Sequence, residues 1–196
     1  LDATDAAYQS LGAGDSTDVV AAYTVLDGNG GSDTATLTIT VNGVNDAPVA
    51  GDDVGSGSED TLITGSVTTN DSDAENDPLS FALNGAAPAG LTFNGDGSWS
   101  LDASDAAYQA LGVGESSDVV VSYTVSDGNG GSDTATLTIT VNGVNDTTVS
   151  ANDSYSVAED TPLTIAGPGV LGNDTDADGD ALAAVVVSGP ANGTLA

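Results

Sequence analysis

Residues 1–46 align without a gap on residues 101–146 and differ from them at only eight positions. A spacing of 100 is too long for a solenoid unit of about 20–50 residues and suits one β-sandwich domain of about 100. Residues 51–83 align more loosely on 151–186, where "SEDTL" is answered by "AEDTPL" and "NDSDAENDPL" by "NDTDADGDAL". The second version carries about three extra residues near Gly167–Gly172. The chain therefore reads as a C-terminal half-repeat (1–46), a complete repeat (47–146) and an N-terminal half-repeat (147–196).

Inside the complete repeat, "TATLTITV" puts Ala135, Leu137, Ile139 and Val141 on one face and threonines on the other, as in a half-buried strand. "SDVVVSYTV" does the same with Val119, Val121, Tyr123 and Val125, and the glycines of "DGNGG" supply the hairpin loop between the two runs. Shorter strands are expected around Leu62–Val67, Leu79–Leu83 and Leu91–Phe93, then through Trp99 and Leu101. Ala106, Ala107, Tyr108 and Leu111 have the spacing of one short helix over 103–111. About seven strands with glycine-rich turns predict an all-β chain of tandem immunoglobulin-like sandwiches.

Charge narrows what such a chain does. Thirty Asp and Glu face no Lys, Arg or His, for a formal net charge of −30, so no carboxylate has a side-chain cation to pair with. Self-repulsion opposes compaction, and nucleic acid and acidic membranes are poor partners. Neutralising charge has to come from solution. Without Cys, disulfides and thiolate metal sites are absent, and without Lys so are Lys–Asn isopeptide staples. Lacking His, Cys and Lys, the chain has no Ser–His or Cys–His pair, no Schiff base and no imidazole ligand for zinc. A carboxylate-pair glycosidase needs an apolar cleft that raises one acid, whereas these acids lie in turns and linkers. The expectation is a non-enzyme. No run reaches the roughly 18 apolar residues of a membrane span, and the first residue is Leu, so the chain reads as an internal part of something longer.

"YTVSDGNGGSDTATLTITVNGVND" followed by "APV" resembles the end of a cadherin repeat, where an Asp-Gly turn, a Thr/Val strand and an Asn-Asp-x-Pro linker come in that order. "SEDTL" resembles its Glu-bearing first strand, "LDASD" its acidic mid-domain motif and "NDSDAENDPLSFAL" its Asp-x-Asp loop. The chain resembles still more closely the bacterial cadherin-like, or VCBS-type, extender repeats of giant RTX-type secreted adhesins. That resemblance implies Ca²⁺, which takes 6–8 oxygen ligands, at each junction between repeats. It places Asn45, Asp46, Asp71, Asp73 and Asp127 at the first junction, with support from Asp2. Glu59, Asp102, Asn145, Asp146, Asp174 and Asp176 fall at the second, with Asp105 beside them. The Asp-Arg-Glu triplet of the vertebrate proteins is Asp102-Ala103-Ser104 here, one acid short. Asp77 and Asp180 lie in the same loops and read as loop caps. Any single Asp also suits a turn, because its side chain bonds its own backbone; pairs two residues apart with no cation near point to a metal. "DTDADG" opens like an EF-hand loop, but Val185 stands where the Glu belongs. Trp99, Tyr108 and Tyr123 read as core aromatics, not a sugar platform.

The function so implied is a calcium-rigidified extender in a large bacterial surface adhesin or extracellular fibre, extracellular and associated with biofilm. A calcium-dependent carbohydrate-binding or homophilic adhesion module is the alternative. Neither half-repeat closes a core alone, so the expected partners, besides calcium, are neighbouring repeats, with head-to-tail complementation in trans between the two halves. Leu195 aligns near Leu91, which leaves only a stretch like "FNGDGSWS" to be missing between successive molecules.

Overall fold

The computed structural model describes residues 1–194; Leu195 lies outside them. Among the described residues nine strands run in chain order: β1 (Ser16–Leu26), β2 (Ser32–Asn42), β3 (Asp53–Ser58), β4 (Leu62–Ser66), β5 (Ser80–Leu83), β6 (Leu91–Phe93), β7 (Ser98–Asp102), β8 (Ser116–Ser126) and β9 (Ser132–Asn142). They form a two-stranded sheet β1-β2, a four-stranded sheet β3-β9-β8-β5 and a three-stranded sheet β4-β7-β6. The fold is all-β, an immunoglobulin-like, cadherin-like sandwich built by β3 to β9.

The chain divides into two compact units. The first comprises Leu1–Gly55, Thr64–Leu101 and Val119–Ile139; the second comprises Ser56–Ile63, Asp102–Asp118 and the chain from Thr140 onward.

In the first unit, the period-2 pattern of β8 and β9 buries Val119, Tyr123, Val125, Ala135, Leu137 and Ile139. Trp99, Leu91 and Leu101 from β6 and β7 are buried with them. The Tyr123 ring lies 5.7 Å from that of Phe93 and 6.4 Å from that of Phe81, so aromatics of both sheets meet around it. β5 pairs antiparallel with β8, Phe81 opposite Val125 and Leu83 opposite Tyr123. β3, "DVGSGS", has no apolar alternation and is not foreseen by the sequence pattern. Glycine is required there by Trp99: a Cβ on Gly55 would lie 2.5 Å from the indole Cη2, and one on Gly65 would also strike the ring. The strand is recognised by what packs on it. In β1-β2 the register is that of a long hairpin, Ser16 opposite Asn42 through Leu26 opposite Ser32. Of its apolar residues only Val41 is buried.

The second unit buries Ile63, Ala103, Tyr108 and Val141. Residues 103–110 are successive turns and not the expected helix. Asp102 and Asp105 capture the amides of Ser104 and Ala107 two residues on, and the backbone bonds run from Asp105 N–H to the Asp102 carbonyl and from Tyr108 N–H to that of Asp105. Aspartates that bond nearby backbone compete with helix, and here they win. Glu59 sits in the turn just after β3, not within a strand. Residues 147–194 contain a 3-10 turn over Gly169–Leu171 and an isolated bridge between Val149 and Thr175, with no strand among the described residues.

Candidate metal centres

In the first unit, Asn45 and Asp46 meet the hairpin turn of β8 and β9. Asn45 Nδ2 donates to the Asp46 carbonyl at 2.9 Å and to Asp127 Oδ2 at 2.8 Å. Asp127 is 3% exposed, and its Oδ1 also accepts the amides of Asn129 and Gly131. The Asn45 amide, helped by these backbone N–H groups, holds the Asp127 carboxyl below its ordinary range. A hydrogen bond to the charged form of an acid favours that form. Across from them, the Asp46 amide donates to Glu75 Oε1 at 3.3 Å. Asp73 Oδ1 accepts the amides of Glu75 and Asp77, and Asp77 Oδ2 accepts Asn129 Nδ2 at 2.6 Å. Carboxylate oxygens of Asp73, Glu75 and Asp77 lie within 4.8 Å of one another. Asp73 Oδ2 and Glu75 Oε2 are buried with no partner.

Asp71 belongs to a different group. Its Oδ1 accepts the Gly51 amide at 2.7 Å, and Oδ2 is buried without a partner. Burial pushes its carboxyl up, and repulsion from Asp53 and Asp133 adds to the shift. Asp53 accepts the Tyr123 hydroxyl at 2.6 Å, yet burial leaves its carboxyl raised as well. Asp2 is exposed and turned onto Thr4, whose hydroxyl and amide hold its carboxyl low.

The second unit repeats the first arrangement. Asn145 Nδ2 donates to the Asp146 carbonyl, and the Asp146 amide donates to Asp178 Oδ2 at 2.9 Å, as that of Asp46 does to Glu75. Asp176 Oδ1 accepts the Asp180 amide as Asp73 accepts that of Asp77. Carboxylate oxygens of Asp176, Asp178 and Asp180 again lie within 4.8 Å of one another. Asp174 accepts the Ala151 amide, the counterpart of the Asp71 contact with Gly51. Glu59 adds what the first group has no counterpart for. It is 1% exposed, its Oε1 accepts the Val144 amide at 2.6 Å, and its Oε2 has no partner. Asp146 Oδ2 and Asp178 Oδ1 are buried and unpartnered too. Burial raises the Asp146 carboxyl, with repulsion from Asp60, Asp178 and Asp176. Asp102 stays exposed and turned onto Ser104, whose hydroxyl and amide hold its carboxyl low, and Asp105 is likewise taken up by the Ala107 amide.

The structure thus brings together Asn45, Asp46, Asp73 and Asp127, and separately Asn145, Asp146 and Asp176. It sets Asp71, Asp174, Asp102, Asp105 and Asp2 on other contacts. Glu75, Asp77, Asp60, Asp178 and Asp180 are the members that the motif reading passed over or assigned to capping. The signal for all of these but Asp60 is the run Asp73-x-Glu75-x-Asp77, answered by Asp176-x-Asp178-x-Asp180, which starts two residues beyond Asp71 and Asp174. The residues suit a hard cation: among the described residues, six of the seven buried side-chain atoms without a partner are carboxylate oxygens, in a chain with no cationic side chain.

A seven-stranded sandwich with acid clusters beside an Asn-Asp linker is the arrangement of a cadherin-type module. The family described as bacterial cadherin-like domain matches residues 45–143, and the chain belongs to it. The bacterial Ig domain family matches residues 145–196. No curated protein matches the chain. Similar solved structures include mouse cadherin-23 EC22-24, 13% identical, covering 66% of this chain and 42% of that one with a TM-score of 0.43. Protocadherin gamma B7 extracellular cadherin domains 1-4 are 18% identical, with 74% and 37% covered and a TM-score of 0.46. An endo-fucoidan hydrolase of glycoside hydrolase family 107 is 18% identical, with 65% and 19% covered and a TM-score of 0.35. This chain spans about two fifths of the length of the cadherin structures it matches. Domains of these two families are adhesion-type repeats, typically extracellular and generally non-catalytic. Among the described residues no helix is long and apolar enough to cross a membrane.

Proposed function

We propose that the chain is a run of calcium-rigidified, non-catalytic spacer repeats from a bacterial surface adhesin or extracellular fibre, with repeat boundaries near residues 46 and 146. One observation carries this reading: buried, unpartnered carboxylate oxygens collect beside both Asn-Asp linkers, at Asp73 and Glu75 by the first and at Glu59, Asp146 and Asp178 by the second. Several carboxylates gathered without a counter-charge are costly, and a bound divalent ion is then the largest local charge and reverses that cost. Asn45, Asp46, Asp73, Glu75, Asp77 and Asp127 would hold ions at the first linker. Glu59, Asp60, Asn145, Asp146, Asp176 and Asp178 would hold them at the second. Bound Ca²⁺ supplies positive charge that ties linker, turn and loop to one another. This chain's residues supply the oxygens, and the Asn45 and Asn145 amides orient the linker by donating to the carbonyl that follows.

Burial of Trp99, Tyr108 and Tyr123 favours the spacer over a carbohydrate-binding module, which needs its aromatics in solvent. Neighbouring repeats of the same protein are the expected partners. Isothermal titration with Ca²⁺ and Mg²⁺, joined to melting in Ca²⁺ and in EDTA at matched ionic strength, tests the reading. Ca²⁺ heat and a sharp rise in melting temperature are expected; equal melting temperatures with no heat of binding would overturn it.

A further inference from the structure

The Tyr123 hydroxyl has two acceptors and one proton to give them. Its oxygen lies 2.9 Å from the Gly51 carbonyl and 2.6 Å from Asp53 Oδ2, and a phenol donates a single hydrogen. The side chain is 0% exposed and its ring packs against those of Phe81 and Phe93, so bulk water supplies no second donor. The contact matters because residues 50–52, which lead from the first linker into β3, lie outside any strand. Acids fasten this segment instead: Asp133 accepts the Ala50 amide, Asp71 that of Gly51, and Asp52 that of Thr136. Tyr123 ties the same segment to β8.

We propose that Asp53 and Tyr123 form a proton-operated clasp: one proton taken up by Asp53 turns the phenolic hydrogen from the carboxyl to the Gly51 carbonyl, so that two hydrogen bonds in series replace one shared donor. Ionised, Asp53 takes the phenolic hydrogen in a charge-assisted bond, for which a length of 2.6 Å is ordinary, and Gly51 is left with the weaker share. Protonated, Asp53 Oδ2–H donates to the Tyr123 oxygen and the phenol donates to Gly51. No covalent bond to carbon changes; the proton comes from solvent, which reaches Asp53 because it is only half-buried. The charged groups around Asp53 all have its sign: Asp52 beside it, Asp71 from the loop after β4, and Asp133 of β9 acting on Asp71. Burial pushes the Asp53 carboxyl up, against the pull of the Tyr123 hydroxyl, and repulsion from Asp52 adds to the rise. The contribution of the clasp is therefore complete below the ordinary carboxylate range and is lost as pH rises through the Asp53 midpoint. These acids do not bring three carboxylate oxygens within 4.8 Å of one another as Asp73, Glu75 and Asp77 do, so the counter-charge that fits here is a proton and not a metal ion. The clasp stands apart from the calcium reading.

Carbon-13 NMR of the labelled chain, titrated in EDTA at fixed ionic strength, reads both ends of the clasp. Asp53 Cγ should titrate above the ordinary carboxylate range, and the Gly51 carbonyl carbon should shift with the same midpoint as it gains its bond. Tyr123→Phe removes the hydrogen that moves and should abolish the Gly51 step, while the fluorescence of the sole tryptophan, Trp99, still reports a folded sandwich. Asp53→Asn, which leaves the phenol in place, should abolish that step as well. An equal Gly51 step in Tyr123→Phe would mean that the carbonyl only senses the field of the nearby acids, and would overturn the proposal. So would a Gly51 step that survives Asp53→Asn, or an Asp53 signal that moves with Ca²⁺ at constant pH. The wild-type chain decides even without a variant: an Asp53 midpoint within or below the ordinary range, or Asp53 and Gly51 midpoints that differ, would overturn it too.

Discussion

Glu59→Gln separates a metal ligand from an ordinary buried acceptor, because the two roles move stability in opposite directions. Glu59 is 1% exposed, bonded through one oxygen to the Val144 amide, with the other oxygen unpartnered. In EDTA the wild-type side chain brings an uncompensated acid into a region where Asp60 and Asp178 already repel Asp146. An unsatisfied buried polar group costs about 1–3 kcal/mol, more when charged, and a hydrogen bond to a charged group exceeds a neutral one by about 1 kcal/mol. Glutamine keeps the acceptor for Val144, gives up that extra strength and removes the formal charge. Its new amide also offers donors to a neighbourhood rich in acceptors. The net expectation in EDTA is a gain of about 1 kcal/mol, read as a rise of about 4–8 °C in melting temperature for a domain of about 100 residues. In saturating Ca²⁺ the order reverses. A lost carboxylate that weakens binding about tenfold removes about 1.4 kcal/mol, and linkage adds RT ln(1 + [L]/Kd) only for ions bound to the folded state. The span between the EDTA and Ca²⁺ melting temperatures, followed by circular dichroism, should shrink from both ends. If Glu59→Gln lowers both temperatures by the same amount, Glu59 is a hydrogen-bond acceptor and nothing more.

Asp73→Ala should shorten or loosen the Ca²⁺-dependent particle seen by small-angle scattering while leaving the sandwich folded; Leu137→Ala should do the reverse, costing roughly 2–5 kcal/mol in denaturant melts. An unchanged Ca²⁺ response in Asp73→Ala would mark that residue as a turn former. Gly65→Ala drives a methyl into Trp99 and should cost about 1–3 kcal/mol as overpacking, with a shift in tryptophan emission; a neutral result would mean that the indole moves aside freely. Protonation should be as informative as metal. Asp53, Asp71 and Asp146 have raised carboxyls, so their ionisation opposes folding above the ordinary carboxylate range. Asp127, Asp133 and Asp102 have lowered carboxyls, so their contribution is complete above that range and is lost only below it. Stability in EDTA should therefore peak near the ordinary carboxylate range and fall just above it, over the window in which the unfolded state has lost protons that the folded one still holds. Saturating Ca²⁺ should remove that fall. A melting temperature in EDTA that climbs steadily to neutral pH would contradict the placement of these acids.

The long strands were legible because β8 and β9 alternate over 11 residues each, a period that only a half-buried strand satisfies. β3 was not, since "DVGSGS" owes its place to the indole of Trp99, some 40 residues away in sequence. The stretch 103–111 misled for a local reason. Its apolar spacing suits a helix, but Asp102 and Asp105 hand their side-chain oxygens to the backbone amides that a helix would use. The acid clusters were half legible. Asp-x-Asp in both copies drew attention to the right loop, but which pair faces the linker depends on where the strand before it ends. The bridges Val49–Ser72 and Val149–Thr175 hold Asp71 and Asp174 on the far side of the loop. Asp73 and Asp176 become the first acids free to turn the other way.

Absence of cationic side chains then takes on a positive meaning. A chain with internal Lys or Arg partners would neutralise these acids from within and stay equally stiff in any solution. With none, every buried carboxylate beside Asn45-Asp46 and Asn145-Asp146 waits on what the medium supplies. Both linkers should respond, because the Asp46 and Asp146 amides make equivalent carboxylate contacts, while Asp127 at the first and Glu59 at the second should set their affinities apart. Adding a cation in place should uncouple one linker from the medium. Ala74→Lys, at an exposed position between Asp73 and Glu75, should stabilise the chain in EDTA and reduce its gain from Ca²⁺. The second linker, left as it is, serves as the internal control. Two calorimetric binding phases, of which only one weakens, would be the expected record. Weakening of both phases together would mean that the lysine acts through net charge alone, and that the linkers are not independent ion sites.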